Sequence, residues 1–296
     1  MKTYKEEVFK GERALFQADH IKVIDSVFED GESPLKESSY VDVDQSIFRW
    51  RYPLWYSHDI SVKNSTFLDT SRAGIWYTDN ISIENSVVSA PKTIRKCHHI
   101  TLKHVDFTDA VETLWNNTDV TIDHVNVKGD YFGMNLQDAT IDHLRLDGKY
   151  PFDNSKNITV RNSRFITKDC FWNSENITIY DSTIIGEYFG WNSKNITLVN
   201  CTIESLQGLC YIENLKMVNC KLINTTLAFE YCSNIDAEIV SHIDSVMNPT
   251  SGIIKAESIG ELIMDETKID PAKTEIIVTK PVSKLSNKDI KLCICN

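Results

Sequence analysis

Apolar residues recur along this chain in pairs set two apart, and the pairs return about every 19 residues through most of its length. Aligned on the apolar residue after an Asn- or Asp-containing turn, the first pairs are Ile60/Val62, Ile81/Ile83, Ile100/Leu102, Val120/Ile122, Ala139/Ile141, Ile158/Val160, Ile177/Ile179, Ile196/Leu198 and Leu215/Met217. Successive starts differ by 21, 19, 20 and then a constant 19 residues. Val41/Val43 and Ile21/Val23 extend the pattern backward, and Ile235 to Ile239 is a decayed copy forward. Alternate side chains of a strand face opposite ways, so each pair predicts one buried face. Five and seven residues after each start comes a second pair, such as Val105/Phe107, Leu144/Leu146 and Cys220/Leu222. Six residues before the starts stands a third position, filled by Leu54, Ile75, Ile94, Leu114, Phe152, Phe171, Leu209 and Phe229, with Gly133 and Gly190 in the remaining two coils. Three strands per coil, rich in β-branched and aromatic residues, predict an all-β solenoid: a parallel β-helix of about twelve coils with three parallel sheets.

Two polar columns fit stacked coils, which bring like residues to about 4.8 Å of one another. Asn116, Asn135, Asn154, Asn173 and Asn192 share one site in five consecutive coils. Pointing inward, their amides would hydrogen-bond along the stack and satisfy a buried polar position. Four residues after each start, the column reads Asn64, Asn85, His104, His124, His143, Asn162, Asp181, Asn200 and Asn219. Asn and Asp tolerate left-handed backbone, so this column predicts a turn.

On these columns the chain resembles the right-handed parallel β-helix proteins of the pectin-lyase-like superfamily. Its Gly11-Glu-Arg-Ala-Leu-Phe16 and Phe28-Glu-Asp-Gly-Glu-Ser-Pro-Leu-Lys-Glu37 segments resemble those of a bacterial family catalogued as uncharacterised. The resemblance implies a fold and no particular activity.

The coils run over residues 18–262 without a linker, which predicts a single domain with an N-terminal cap over 1–17 and a C-terminal cap or tail over 263–296. Met1 to Glu7 is polar and no apolar run reaches the length of a membrane span, so the expectation is a cytoplasmic protein with no membrane partner. The eight cysteines then read as reduced thiols, most of them embedded in the repeat. Asn157-Ile-Thr, Asn176-Ile-Thr and Asn195-Ile-Thr match a glycosylation pattern, yet each is the turn and first strand of a coil. A net charge of −11 argues against nucleic acid, and the best basic cluster, Lys92, Arg95 and Lys96, is small.

One residue before the Asn column the chain places Trp55, Trp76, Arg95, Trp115, Met134, Asp153, Trp172, Trp191, Cys210 and Glu230. Alternation turns these side chains outward, with Tyr52, Glu112, Tyr131, Tyr150, Asp169 and Tyr188 three residues earlier. Aromatics with carboxylates among them fit a saccharide groove, in which rings supply apolar platforms and acids accept hydroxyl hydrogen bonds. The same face also fits a surface for self-association or docking, since large exposed apolar patches on monomers are uncommon. A strand phase wrong by one residue would instead bury the column. The residues set out for saccharide contact are Trp115, Trp172, Trp191, Tyr131, Tyr150 and Tyr188.

For chemistry, Asp153 stands among apolar and aromatic neighbours, a setting that raises a carboxyl's pKa and suits a proton donor. Asp169 or Asp130 is the expected second acid for hydrolysis. Elimination needs a base, for which Lys149 and Lys168 are the nearby candidates.

Other motifs fall away on inspection. Asn117-Thr-Asp119 resembles an aspartate motif of polygalacturonases, but the companion Asp-Asp, Gly-His-Gly and Arg-Ile-Lys are absent from the sequence. Ile122-Asp-His124 resembles a pectate lyase segment, but Ile141-Asp-His143 repeats it one coil later as ordinary strand and turn. His104, His124 and His143 stack in three coils, and two of them could share a Zn²⁺ with Asp123 or Asp142. Because Asn and Asp fill that column elsewhere, turn chemistry is the primary reading, and no metal or cofactor is expected. Cys97-His98-His99 has no ligand spacing, Cys293-Ile-Cys295 is a lone pair near the C-terminus, and no phosphate-binding glycine loop occurs. The functional expectation is a carbohydrate-binding or carbohydrate-modifying protein, with an interaction scaffold that self-associates through the tryptophan face as the alternative.

Overall fold

A computed structural model describes residues 1–280, 284–285 and 292–294. The chain divides into two compact units, Met1–Gly148 and Lys149–Asn296. In the first unit, parallel strands pair coil on coil from Lys2–Lys5 through Asp19–Ile24, Ser39–Asp44, His58–Lys63, Asp79–Val88, His98–Phe107 and Thr118–Lys128. The register holds the repeat in place, with Ile60, Ile81, Ile100, Val120 and Ala139 facing one another in turn. The second unit stacks Lys156–Arg161, Glu175–Tyr180, Lys194–Val199, Glu213–Thr226, Ser233–Met247, Gly252–Ile263 and Thr274–Val278 in the same way. There Ile158, Ile177, Ile196, Leu215 and Ile235 are partners. Among the described residues helix is confined to two short 3₁₀ turns, Asp69–Ser71 and Pro271–Lys273, and no helix is long and apolar enough to cross a membrane. The fold is a parallel β-helix.

The coils number about 15, more than the roughly twelve expected, because the repeat reaches further at both ends than its apolar periodicity does. Residues 1–17 contain a coil of their own: Lys2–Lys5 pairs with the Ile21 strand, and Val8–Phe9 pairs with Val27 and Phe28. Beyond residue 262, Thr274–Val278 pairs with the strand that begins at Gly252, so this segment also continues the stack. Side chains of Cys293 and Cys295 lie outside the described residues.

The core is the stack of inward columns. Phe9, Phe28, Phe48 and Phe67 lie ring on ring at 5.0, 4.8 and 4.4 Å between centroids. Burying each such side chain stabilises by roughly 1.5–3 kcal/mol. Polar columns also face inward where the chain turns. Ser46 and Ser65 each accept a hydrogen bond from the N–H of the serine one coil earlier, at 3.2 and 3.0 Å, and donate to the carbonyl two residues back. Ser174 and Ser193 accept in the same way at another corner and donate to the Phe152 and Phe171 carbonyls, 22 residues back. Cys97, Cys201, Cys220 and Cys232 occupy equivalent corners, their thiols directed to carbonyls 22 or 23 residues back, in the preceding coil. All six described cysteines are buried free thiols.

Corners are made by residues at positive φ. The column four residues after each start lies there throughout, from Asn64 at 48° to Asn219 at 51°, as its composition predicts. The Asn column lies there too, at 51–57°, and this corrects its expected placement. A left-handed residue interrupts the two-residue alternation, so Leu114 points in, Trp115 out, Asn116 sits on the corner and Asn117 points in again. The asparagine ladder therefore forms at the surface, with Asn135 Nδ2 donating to Asn116 Oδ1 at 2.9 Å and Asn192 to Asn173 at 2.7 Å. The Trp column faces outward, as alternation up to the corner predicts.

Candidate functional site

In the first unit the outward column satisfies itself. Trp55 and Trp76 stack at 5.2 Å with an interplanar angle of 7°. Trp55 Nε1 donates to the Ala73 carbonyl at 2.6 Å, Trp76 Nε1 to the Lys92 carbonyl at 2.9 Å, and Trp115 Nε1 to the Tyr131 carbonyl. Each indole thus spans to the following coil and caps its turn. Arg95 takes the place of a tryptophan, its guanidinium 5.4 Å from the Trp76 ring and 4.3 Å from the Trp115 ring, while it donates to Glu112 Oε2 at 2.7 Å. Lys92 pairs with the same carboxylate at 3.1 Å, and these hydrogen bonds hold Glu112 below the usual carboxylate range. The basic cluster is thereby ion-paired. Asp130 and Tyr131 belong to this unit, Asp130 half-buried and Tyr131 exposed.

The second unit holds Tyr150, Asp153, Asp169, Trp172, Tyr188 and Trp191. Trp172 is 38% exposed, and among the described residues its indole has neither a hydrogen bond nor a ring contact. Trp191 meets Tyr188 edge-on at 5.3 Å and stacks on Tyr211 at 5.7 Å, its own indole N–H also without an acceptor. Asp153 is half-buried, and its Oδ1 is inaccessible and unpartnered. Burial raises its pKa, against hydrogen bonds from the Asn173 side chain and the Asn154 N–H that pull it down. Asp169 is only 8% exposed. Burial raises its pKa first; Lys168 opposes this, and the negative charges of Glu187 and Asp153 add to it. The two carboxyls therefore feel one another.

Lys168 does not suit the role of a base. Its ammonium pairs with Glu187 at 3.2 Å and lies 5.3 Å from the Tyr188 ring, and the hydrogen bond to Glu187 raises its pKa. Asn117 and Asp119 part ways across the wall: Asn117 is fully buried and accepts from the Cys97 N–H at 2.8 Å, while Asp119 is an exposed corner at φ 55°.

Two features were not picked out from the residues. Glu230 continues the outward column yet is 8% exposed, held by Gln207 Nε2 at 2.6 Å and near the Cys210 thiol, which burial and then Glu230 push up to about 12. The signal available was its place one residue after Phe229. Ser39 Oγ lies 2.5 Å from His58 Nε2, and His58 Nδ1 lies 3.0 Å from Asp59 Oδ2. His98 meets Thr118, and His242 meets Ser258, in the same coil-to-coil manner, so this trio reads as a ladder contact.

The family model for DUF3737, protein of unknown function, matches residues 2–277. The chain belongs to that family. No curated protein matches it. Among solved structures the chain is similar to PfbA, a surface adhesin of Streptococcus pneumoniae, at 8% identity and TM-score 0.36, over 91% of this chain and 85% of that one. It is similar to a mutant of the tailspike protein of E. coli bacteriophage HK620 in complex with pentasaccharide, at 8% identity and TM-score 0.37, over 96% and 69%. The A-module of Azotobacter vinelandii mannuronan C-5 epimerase AlgE4 is similar at 10% identity and TM-score 0.31, over 99% and 89%. The β-helix of this DUF3737 member rests on the strand pairing and register described above.

Proposed function

We propose that the second unit binds an oligosaccharide across Trp172, with Tyr188 and Trp191 as further ring platforms and Asp153 and Asp169 as polar contacts. The observation that carries this reading is the state of Trp172: a large aromatic ring, exposed and unpartnered, beside carboxyls whose pKa values burial raises. A sugar ring would cover the indole face and accept from its N–H, which has no acceptor among the described residues. Tyr150, on the corner ahead of Asp153, flanks the same row, whereas Trp115 gives its indole N–H to the Tyr131 backbone carbonyl.

If the bound saccharide is also cleaved, Asp153 is the proton donor, since a raised pKa keeps a carboxyl protonated closer to neutral pH, and Asp169 is its partner. The firm ion pair of Lys168 disfavours elimination. Inside a cell the ligand would be an oligosaccharide or a precursor and not a long extracellular polymer.

The test is tryptophan fluorescence of the full chain and of Trp172→Ala and Trp191→Ala variants, titrated with neutral and acidic oligosaccharides, with light scattering on the same samples. A saturable shift that Trp172→Ala removes is the expected result. No shift, together with a dimer that Trp172→Asp dissociates, would replace this reading with self-association through the same face.

A further inference from the structure

We propose that His104, Asp123 and His124, at the corner between the first and second strands of successive coils in the first unit, bind a divalent cation of the zinc type. This inference is independent of the saccharide reading and concerns other residues. One ligand atom from each of these three side chains lies within 4.8 Å of the others. A second trio, Asp123, Asp142 and His143, meets the same limit and shares Asp123 with the first. Closing to tetrahedral coordination requires rotamer shifts on the order of 1 Å, which half-exposed side chains make readily.

Ligand atoms of neighbouring residues already stand side by side. His124 Nδ1 lies 2.6 Å from Asp123 Oδ1, and His143 Nδ1 lies 3.0 Å from Asp142 Oδ1. An ion that displaced the proton shared by His124 Nδ1 and Asp123 Oδ1 would meet both ligand atoms at once. Ring geometry then selects the pair. His104 and His124 stand 5.0 Å apart with planes inclined by 40°, and a ligand atom of each lies within 4.8 Å of the other and of Asp123. His124 and His143 are 4.2 Å apart and only 10° from parallel, a stacked arrangement whose lone pairs run side by side. His143 and Asp142 therefore flank the site.

Charge points the same way. Asp123 and Asp142 are direct partners in the strand register, and like charges placed opposite one another destabilise a sheet. Lys103, the partner of Asp123 on the other side, makes no ion pair with it among the described residues. A cation between the coils relieves that repulsion. Elsewhere the column supports the stack differently, with Asn64 donating to Asp44 at 2.8 Å, Asn200 to Asp181 at 2.9 Å and Asn219 to Asn200 at 2.9 Å. Imidazoles cannot form that amide ladder. Two nitrogens and a carboxylate suit Zn²⁺ and its late first-row neighbours, whereas Ca²⁺ and Mg²⁺ prefer oxygen alone. Remaining positions would hold water, because the site lies open at the surface.

The column supplies its own conservative substitution, since Asn already makes this corner in five other coils. Metal-free full-length protein and the variants His104→Asn, His124→Asn and His143→Asn are titrated with Zn²⁺ by calorimetry and with Co²⁺ by visible absorption, and their melting temperatures without metal are compared. The expected result is one saturable ion per wild-type chain, with affinity reduced about tenfold or more by His104→Asn and by His124→Asn. His143→Asn should weaken binding less, and melting without metal should stay unchanged in all three. No saturable binding by the wild type, or undiminished binding in both His104→Asn and His124→Asn, overturns the proposal.

Discussion

The same outward column is used in two ways. In the first unit Trp55, Trp76 and Trp115 each give their indole N–H to a carbonyl of the following coil, and Arg95 lies between two of the rings. In the second unit Trp172 and Trp191 occupy the same position in the repeat with no acceptor for that N–H among the described residues, beside acids that burial makes reluctant to ionise. Position in a repeat thus sets where a side chain stands and which way it faces, while its neighbours decide whether it serves the fold or is left for a ligand. A column satisfied from within has nothing to offer a partner.

The sharpest challenge to this contrast tests whether the second unit is loose in its side chains alone. Gly186 lies at φ 149°, and a Cβ there would stand 1.5 Å from the Thr167 carbonyl oxygen, next to Lys168 and Asp169. Gly186→Ala should cost about 3 kcal/mol or more in urea unfolding, because backbone must move to admit the methyl group. A cost near zero would mean that the wall beside Asp169 is soft. Next in size, Trp55→Ala should destabilise by about 2–3 kcal/mol, below the range for fully buried tryptophan because the ring is half-exposed. Trp172→Ala should cost under about 1 kcal/mol in the same assay, and equal losses for the two would erase the distinction.

The smallest effect is electrostatic. Folding raises the pKa of Asp153 and Asp169, so ionising them opposes folding at neutral pH. That penalty is full above the raised folded values and fades as pH falls through them toward the unfolded value near 3.8. Asp153→Asn should therefore stabilise at pH 7 by about 1 kcal/mol or less and flatten the dependence between pH 7 and 4. Destabilisation by Asp153→Asn at pH 7 would contradict it.

Much of this was readable in the residues, because a coil that stacks on its neighbour must repeat its apolar positions. The strand register pairs Ile158, Ile177 and Ile196 as their spacing requires, and the corner at His124 or Asn200 follows from residue type. The Asn116 column was misplaced for a local reason: one left-handed residue shifts the alternation by a step, and composition alone does not reveal which asparagine makes the turn. The N-terminal coil escaped because Lys2 stands where Ile21 stands one coil later, and the C-terminal one because the step from Gly252 to Thr274 is 22 residues and breaks the 19-residue period. Of the candidate site, the outward direction of Trp172 and the raised pKa of Asp153 were anticipated. The carbonyl contact that engages the Trp115 indole N–H was not, since it depends on where the next coil's turn falls.

The corners have one further consequence. Asn157, Asn176 and Asn195 turn the chain at φ 55–58° at identical points of consecutive 19-residue coils, and each precedes an isoleucine of the first strand. Excision of residues 177–195 would join Asn176 to Ile196 and present every remaining strand with an equivalent partner. A solenoid so constructed can lengthen or shorten by whole coils through duplication and loss of short gene segments, moving a ligand-facing residue by one step along the stack without redesigning the wall that carries it.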